Sequence, residues 1–225
     1  MRSLYREAGY QGAACQAAER AADHAVHVVA LAAGVLGAFA LVTRAAVAAD
    51  RVTFAAVLVY SLGLLTMLGA SAAHNAGRSR AGEDLRRRID HAAIFVMIAG
   101  TYTPLTVRFV SGGLALGVTA GIWAAALAGV FVKIKLRYPR RFERLSLVVY
   151  LALGWQGLFL LPSLFASLPH PAPALILAGG ALYSLGAAFH LWKTLPFQNA
   201  IWHGFVVLAA GCHYAAVWQT AGLGA

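Results

Sequence analysis

Ten side chains in this sequence combine types and spacings that could do chemistry. Asp90 and His91 open the run IDHAAIFVMIAGTYTPL, from Ile89 to Leu105, which is otherwise apolar until its Gly-Thr-Tyr-Thr-Pro close. A carboxylate entering a hydrophobic segment is costly in lipid and needs a partner, so an intramembrane acid marks a candidate site. Asp90 could also cap a helix N-terminus, worth about 0.3–1 kcal/mol, and the two roles are compatible. Ser71 and Asn75 stand four apart, as do Asn199 and His203. On a helix each pair shares a face, with His74 on the edge beside Ser71. His24, His27 and His190 complete the set. Three helices could thus turn oxygen and nitrogen groups toward one point.

What must position these groups is a membrane-embedded helical scaffold. The 225 residues are 60% hydrophobic and only 12% charged, against about 25% charged in a soluble domain. Seven apolar runs approach the ~20 residues a spanning helix needs. They lie near Val26–Val42, Val52–Ala73, His91–Val110, Leu114–Ile134, Leu145–Phe165, Ala172–Trp192 and Ile201–Thr220. The expected fold is therefore all-α, an integral membrane bundle of seven transmembrane helices. Short connections imply one domain over residues 1–225, with 1–23 as a cytoplasmic N-terminal segment. No cleavable signal is expected, because the first 20 residues lack an apolar core. GVTAG, from Gly117 to Gly121, reads as a small-residue helix contact. Cys15 and Cys212 form neither a disulfide framework nor a zinc-type spacing.

The net charge of +10 sorts by topology rather than pointing to nucleic acid, and no nucleic-acid partner is expected. Fifteen of the eighteen basic residues fall in the N-terminal segment and the second, fourth and sixth connections. Arg44, Arg51 and Arg108 are the remaining three. By the positive-inside rule the N-terminus is cytoplasmic and the C-terminus external. Alternate spans run in opposite directions, so six of the eight histidines share the cytoplasmic depth with Asp90, Asn75 and Asn199. His170 lies in an external connection. His213 lies ten residues beyond His203, about 15 Å deeper along a helix.

The chain resembles the hemolysin III family, the bacterial branch of the progestin and adiponectin receptor family, itself similar to alkaline ceramidases. DHAAIFVMIAGTYTP, Asp90 to Pro104, carries the resemblance most specifically. Glu19, Asp23 and His27 match an E-x-x-x-N-x-x-x-H pattern with Asp replacing Asn, and FQNAIWHGFVVLAAGCHY, Phe197 to Tyr214, matches the seventh span. The resemblance implies a zinc ion near the cytoplasmic side, held by one His of S-x-x-x-H and two of H-x-x-x-H, with the third-span Asp orienting a water. Here Asn75 and Asn199 stand at two of those ligand positions, and only His203 matches directly. An amide oxygen is a poor zinc ligand.

Two functions follow as expectations. In the first the protein is a metal-dependent hydrolase of a lipid amide or ester, resident in the bacterial inner membrane. Asp90 would be the general base and Ser71 would hold the developing oxyanion. His203 with His74 would hold zinc, and Asn75, Asn199, His27 and His91 would line the pocket. In the second the pocket is degenerate, occupied by water or weakly held metal. The protein then binds a lipid or small molecule, acts as a receptor, or perturbs membranes without catalysis. A proton relay is a third reading, but no continuous polar path extends past His213.

Overall fold

A computed structural model describes residues 12–77, 81–109, 112–135, 143–160 and 171–221. Arg78, Arg80, Arg137, Arg140 and Arg141, which supported the topology, lie outside the described residues, as does the end of the expected fifth span. The described residues form seven α-helices and one 3-10 helix, with no strand. They are α1 (Ala13–Ala48), α2 (Arg51–Ala76), α3 (Glu83–Phe109), α4 (Gly112–Lys135), α5 (Glu143–Trp155), α6 (Ala172–Leu191) and α7 (Gln198–Thr220). The 3-10 helix, Gln156–Leu160, follows α5 directly.

Five helices, α1, α2, α4, α6 and α7, are long and apolar enough to cross a membrane. α1 has 36 residues, about 54 Å, and so outreaches a ~30 Å hydrocarbon layer. Its first turns, which carry Glu19 and Asp23, extend past the apolar run that marks it in the sequence. α3 falls short on composition, not on length, since it has 27 residues. Its polar groups are turned inward and satisfied: Thr101, Thr103 and Thr106 donate to the carbonyls of Met97, Ala99 and Tyr102 at 2.8, 2.8 and 3.0 Å. α5 stops at 13 residues because the chain tightens into the 3-10 turn. The Tyr102 hydroxyl fastens that bend, donating to the Gly154 carbonyl at 2.6 Å and accepting from the Gly157 N–H.

Polarity is inverted relative to a soluble fold. Leu36, Phe39, Leu116 and Phe159 are 70–87% exposed, whereas Asp23 and His27 are only 8% and 7% exposed. α3 sits centrally, packed on α2, α4, α5 and α7, while α1 closes the ring against α2 and α7. Phe95, Tyr102, Ile122, Tyr150 and Leu153 form one core cluster, among α3, α4 and α5. Leu41, Val57, Tyr60, Met67, Met97 and Val217 form a second, among α1, α2, α3 and α7.

The backbones of α2 and α3 approach closely. A Cβ on Gly100 would lie 3.4 Å from the Val59 carbonyl oxygen, and one on Gly63 would lie 3.4 Å from the Val96 oxygen. Among the described residues the expected contact at Gly117 and Gly121 is not made, and nothing lies within 4 Å of where a Cβ would stand on either. A small-residue spacing permits close packing but does not say which helix, if any, arrives.

At the basic end, Arg87 pairs with Asp84 and Glu143, and Arg88 donates to the Lys133 carbonyl, tying α3 to α5 and α4. Lys133 itself is buried and donates to Ser146.

Candidate metal centre

Three donors meet where α1 and α7 pack. Ligand atoms of Asp23, His27 and His203 lie within 4.8 Å of one another, the first two residues buried and the third half-buried. On α1 the spacing of four puts Asp23 and His27 on one face. His203 reaches them from the second turn of α7.

Proton positions follow from the partners. His27 Nδ1 lies 2.8 Å from the Asp23 backbone carbonyl, which can only accept, so Nδ1 carries the proton. His203 Nδ1 lies 2.6 Å from Asp23 Oδ1 and donates to that carboxylate. One residue therefore orients both imidazoles, through its main chain and its side chain. In each neutral ring the lone pair is left on Nε2. The rings stand edge to face with centroids 4.3 Å apart. Hydrogen bonding of the far ring nitrogen is how proteins prepare histidines for metal, fixing tautomer and raising basicity.

This donor set fits a zinc ion. Two imidazole nitrogens and one carboxylate oxygen are donor types that zinc takes, so these three residues could hold such an ion. His27 Nε2 meets the Ser71 hydroxyl at 3.1 Å and the Asn75 amide nitrogen at 3.3 Å. Asn75 also donates to the Ser71 carbonyl at 2.9 Å. Asn75 thus presents hydrogens, not lone pairs, toward the centre and acts as a holder of His27.

Beyond the centre, a cavity of about 340 Å³ runs into the bundle. Its polar end includes Ser71, His74, Asp90, His91, Asn199 and His203, and its walls include Met67, Leu68, Met97, Ile98 and Leu105. Asp90 faces inward, where its carboxylate interacts with the Ser71 hydroxyl and with His203. Ser71 thus stands between Asp90 and His27. At the far end the His213 ring fits against Gly179, where a Cβ would collide with it, and its Nε2 donates to the Ile176 carbonyl at 3.1 Å. A second, polar chamber of about 300 Å³ is lined by Glu19, Arg20, Asp23, Lys193, Gln198 and Asn199. Asn199 lines both spaces and Asp23 faces the chamber, so the centre forms the partition.

The structure gathers most of the expected site residues around this cavity. Ser71, Asn75, Asp90, His91, Asn199, His27 and His203 all line it. His74 lines it too but lies outside the metal group, and its buried Nδ1 has no hydrogen-bond partner among the described residues. α2 remains regular through Ala76, so the distorted turn that would bring His74 into register is not formed. His24 points outward and is exposed. His190 lines the cavity from α6, its ring 5.0 Å from Trp202.

The residue that sequence reasoning left without a role is Asp23. The signal was available, because the argument that singles out Asp90 applies equally to an acid four residues before a histidine at the head of an apolar run. Its partner His203 could not be foreseen, being 180 residues away.

Comparison with known proteins bears on these residues. A family model described as haemolysin-III related matches residues 19–214, which include every residue of the centre. The chain is 40% identical over 144 residues to the hemolysin-3 homolog of Bacillus subtilis (strain 168), covering 64% of this chain and 66% of that protein. It is 42% identical over 125 residues to hemolysin-3 of Bacillus cereus, 56% of each. It is 32% identical over 136 residues to the human monocyte to macrophage differentiation factor, 58% of this chain and 53% of that one. Each match spans less than two thirds of the relative's length. No solved structure matches.

Proposed function

We propose a function from the premise that this chain belongs to the haemolysin-III-related family and is a multi-pass membrane protein. In this reading it crosses the bacterial plasma membrane seven times, N-terminus inside, and is a zinc-dependent hydrolase of a lipid amide or ester. The observation that carries the reading is the double use of Asp23. Its carbonyl and carboxylate orient His27 and His203 at the polar end of an apolar-walled cavity.

Asp23, His27 and His203 would together hold the metal. Zinc bound there supplies Lewis acidity toward a carbonyl and acidifies nearby water from about 15.7 toward ~7. The chain's own residues do the rest. Met67, Leu68, Met97 and Ile98 hold an acyl chain out of water. Asp90 takes the proton of the attacking water and returns it to the leaving group. Ser71 donates to the carbonyl oxygen as charge develops on it. The polar chamber beside Asp23 gives water a path that does not cross the lipid-filled cavity.

A second reading keeps the pocket and removes the chemistry: a lipid is bound without turnover, or the membrane is perturbed as the name of the Bacillus cereus relative states of that protein. It is favoured by the Asn75 amide, which competes with a metal for His27 Nε2. The test is to purify the full chain, load it with zinc, and offer a fluorescent N-acyl amide lipid. Turnover that falls at least 100-fold in Asp90→Asn supports the hydrolase. Saturable lipid binding with no turnover supports the second reading. The topology rests on the fifteen-to-three asymmetry of basic residues. A reporter fused near Arg140 should be cytoplasmic, and a periplasmic signal there overturns it.

A further inference from the structure

α7 carries His203 and Asn199 but begins without a cap of its own. Its N-cap residue, Phe197, has φ 56° and ψ 22° and makes no side-chain capping bond. Among the described residues Phe197 alone combines positive φ with a side chain. That left-handed conformation strains any residue bearing a Cβ, and bulky residues most. Something outside the local sequence must hold it there.

The holder is Glu19. The Phe197 N–H donates to Glu19 Oε1 at 3.0 Å, across 178 residues of chain. A carboxylate at a helix N-terminus both accepts an orphan N–H and complements the positive end of the helix dipole. The Gln198 side chain, donating to the His190 carbonyl at 3.1 Å, fixes the same end to the last turn of α6. Glu19, Asp23 and His27 follow one another at intervals of four on α1. Glu19–Phe197 and Asp23–His203 are therefore successive rungs of one ladder between α1 and α7, and the outer rung sets the height of the inner.

We infer that Glu19 is a positioning residue, an inter-helix cap that holds the strained start of α7 against α1 and so presents His203 to Asp23. The consequence for metal affinity rests on the zinc reading above, whereas the consequence for the His203 ring does not.

The test uses the full chain in micelles, with ring nitrogens of histidine labelled for NMR, amide exchange measured at Phe197, and zinc titrated separately. Glu19→Ala should speed exchange of the Phe197 amide about 10-fold or more and abolish the hydrogen-bonded Nδ1–H signal of His203. Zinc affinity should fall about 10-fold, the lower end of the range for losing an orienting partner. Glu19→Gln keeps an acceptor oxygen and should hold the His203 signal, with zinc affinity within about threefold of the parent. Glycine adopts φ > 0 freely, so adding Phe197→Gly to Glu19→Ala should restore the His203 signal.

A cap that merely stabilised the helix would lower the melting temperature without moving the His203 signal, and that result overturns the inference. So does a Glu19→Gln variant that fails as badly as Glu19→Ala. Should Glu19→Ala not fold, Glu19→Asp, one methylene shorter, carries the same readouts. A parent protein that takes up no zinc refutes the metal reading alone, because the ring signal and amide exchange still decide the role of Glu19.

Discussion

Two polar corners face the same cavity, one where α1 meets α7 and one at the end of α2, and they differ less in residue type than in where the protons sit. At the α1–α7 corner Asp23 accepts from Nδ1 of both histidines, which leaves the remaining lone pair of each ring on Nε2, that of His27 facing Ser71 and Asn75. At the α2 corner Asn75 spends its amide hydrogens on His27 and on the Ser71 carbonyl. His74 keeps a buried Nδ1 with no hydrogen-bond partner among the described residues. A metal asks for oriented lone pairs. The α1–α7 corner offers them and the α2 corner offers donors, so the zinc reading puts the metal at the first and makes the second its support.

The sharpest way to break this contrast is to delete a donor. His203→Ala and Asp23→Ala should each weaken zinc binding by more than about 100-fold, since even an orienting partner is worth about 10–100-fold. Isothermal titration of the purified variants would read it. A loss below tenfold in both would place the metal elsewhere. A smaller effect comes from converting the α2 corner. Asn75→His replaces a donor amide beside His27 with a potential ligand and should tighten zinc binding about tenfold, on the same scale. Unchanged affinity would mean that Asn75 does not face the ion.

Asp50 offers a control far from both corners. It caps α2, accepting from the Val52 and Thr53 N–H groups at 2.9 and 3.0 Å and from the Thr53 hydroxyl at 2.7 Å. Asp50→Ala should cost about 0.5–2 kcal/mol of stability, leaving zinc affinity unchanged. The Thr53 bonds hold the Asp50 carboxyl below its ordinary range. Its capping contribution is thus complete above its unfolded pKa of about 3.9 and is lost as pH falls through the lower folded value. Melting curves of parent and Asp50→Ala should converge in that acid window and stay apart at neutral pH. The smallest effect is expected at His74, where His74→Ala should change zinc affinity by less than about threefold, well inside the range that a true partner spans. A larger drop would erase the distinction between the corners.

The Asp50 and Glu19 caps show what could be read in the sequence and what could not. Asp50 bonds within three residues, so the physics is local. Glu19 bonds a residue 178 positions later, and no spacing announces it. The same holds for the site. The stretch from Asp90 and the pairs Ser71–Asn75 and Asn199–His203 were legible because helical periodicity gathers each on one face. Which helices then meet was not. His203 was paired with His74 in the expectation, yet α1 brings Asp23 and His27 to it. For the fold, apolar runs located the helices but blurred their ends. α1 begins well before Val26, where its polar first turns meet α7 through Glu19 and Asp23. α5 ends at Trp155 because the Tyr102 hydroxyl fastens a bend that only tertiary contact reveals.

The most direct test of the centre is X-ray absorption at the zinc edge of the loaded protein, compared with His27→Ala and His74→Ala. The geometry predicts two imidazole nitrogens and a carboxylate oxygen among the ligands, with one imidazole lost in His27→Ala and an unaltered spectrum in His74→Ala. A three-imidazole sphere, or one that changes with His74 and not with His27, would contradict the account.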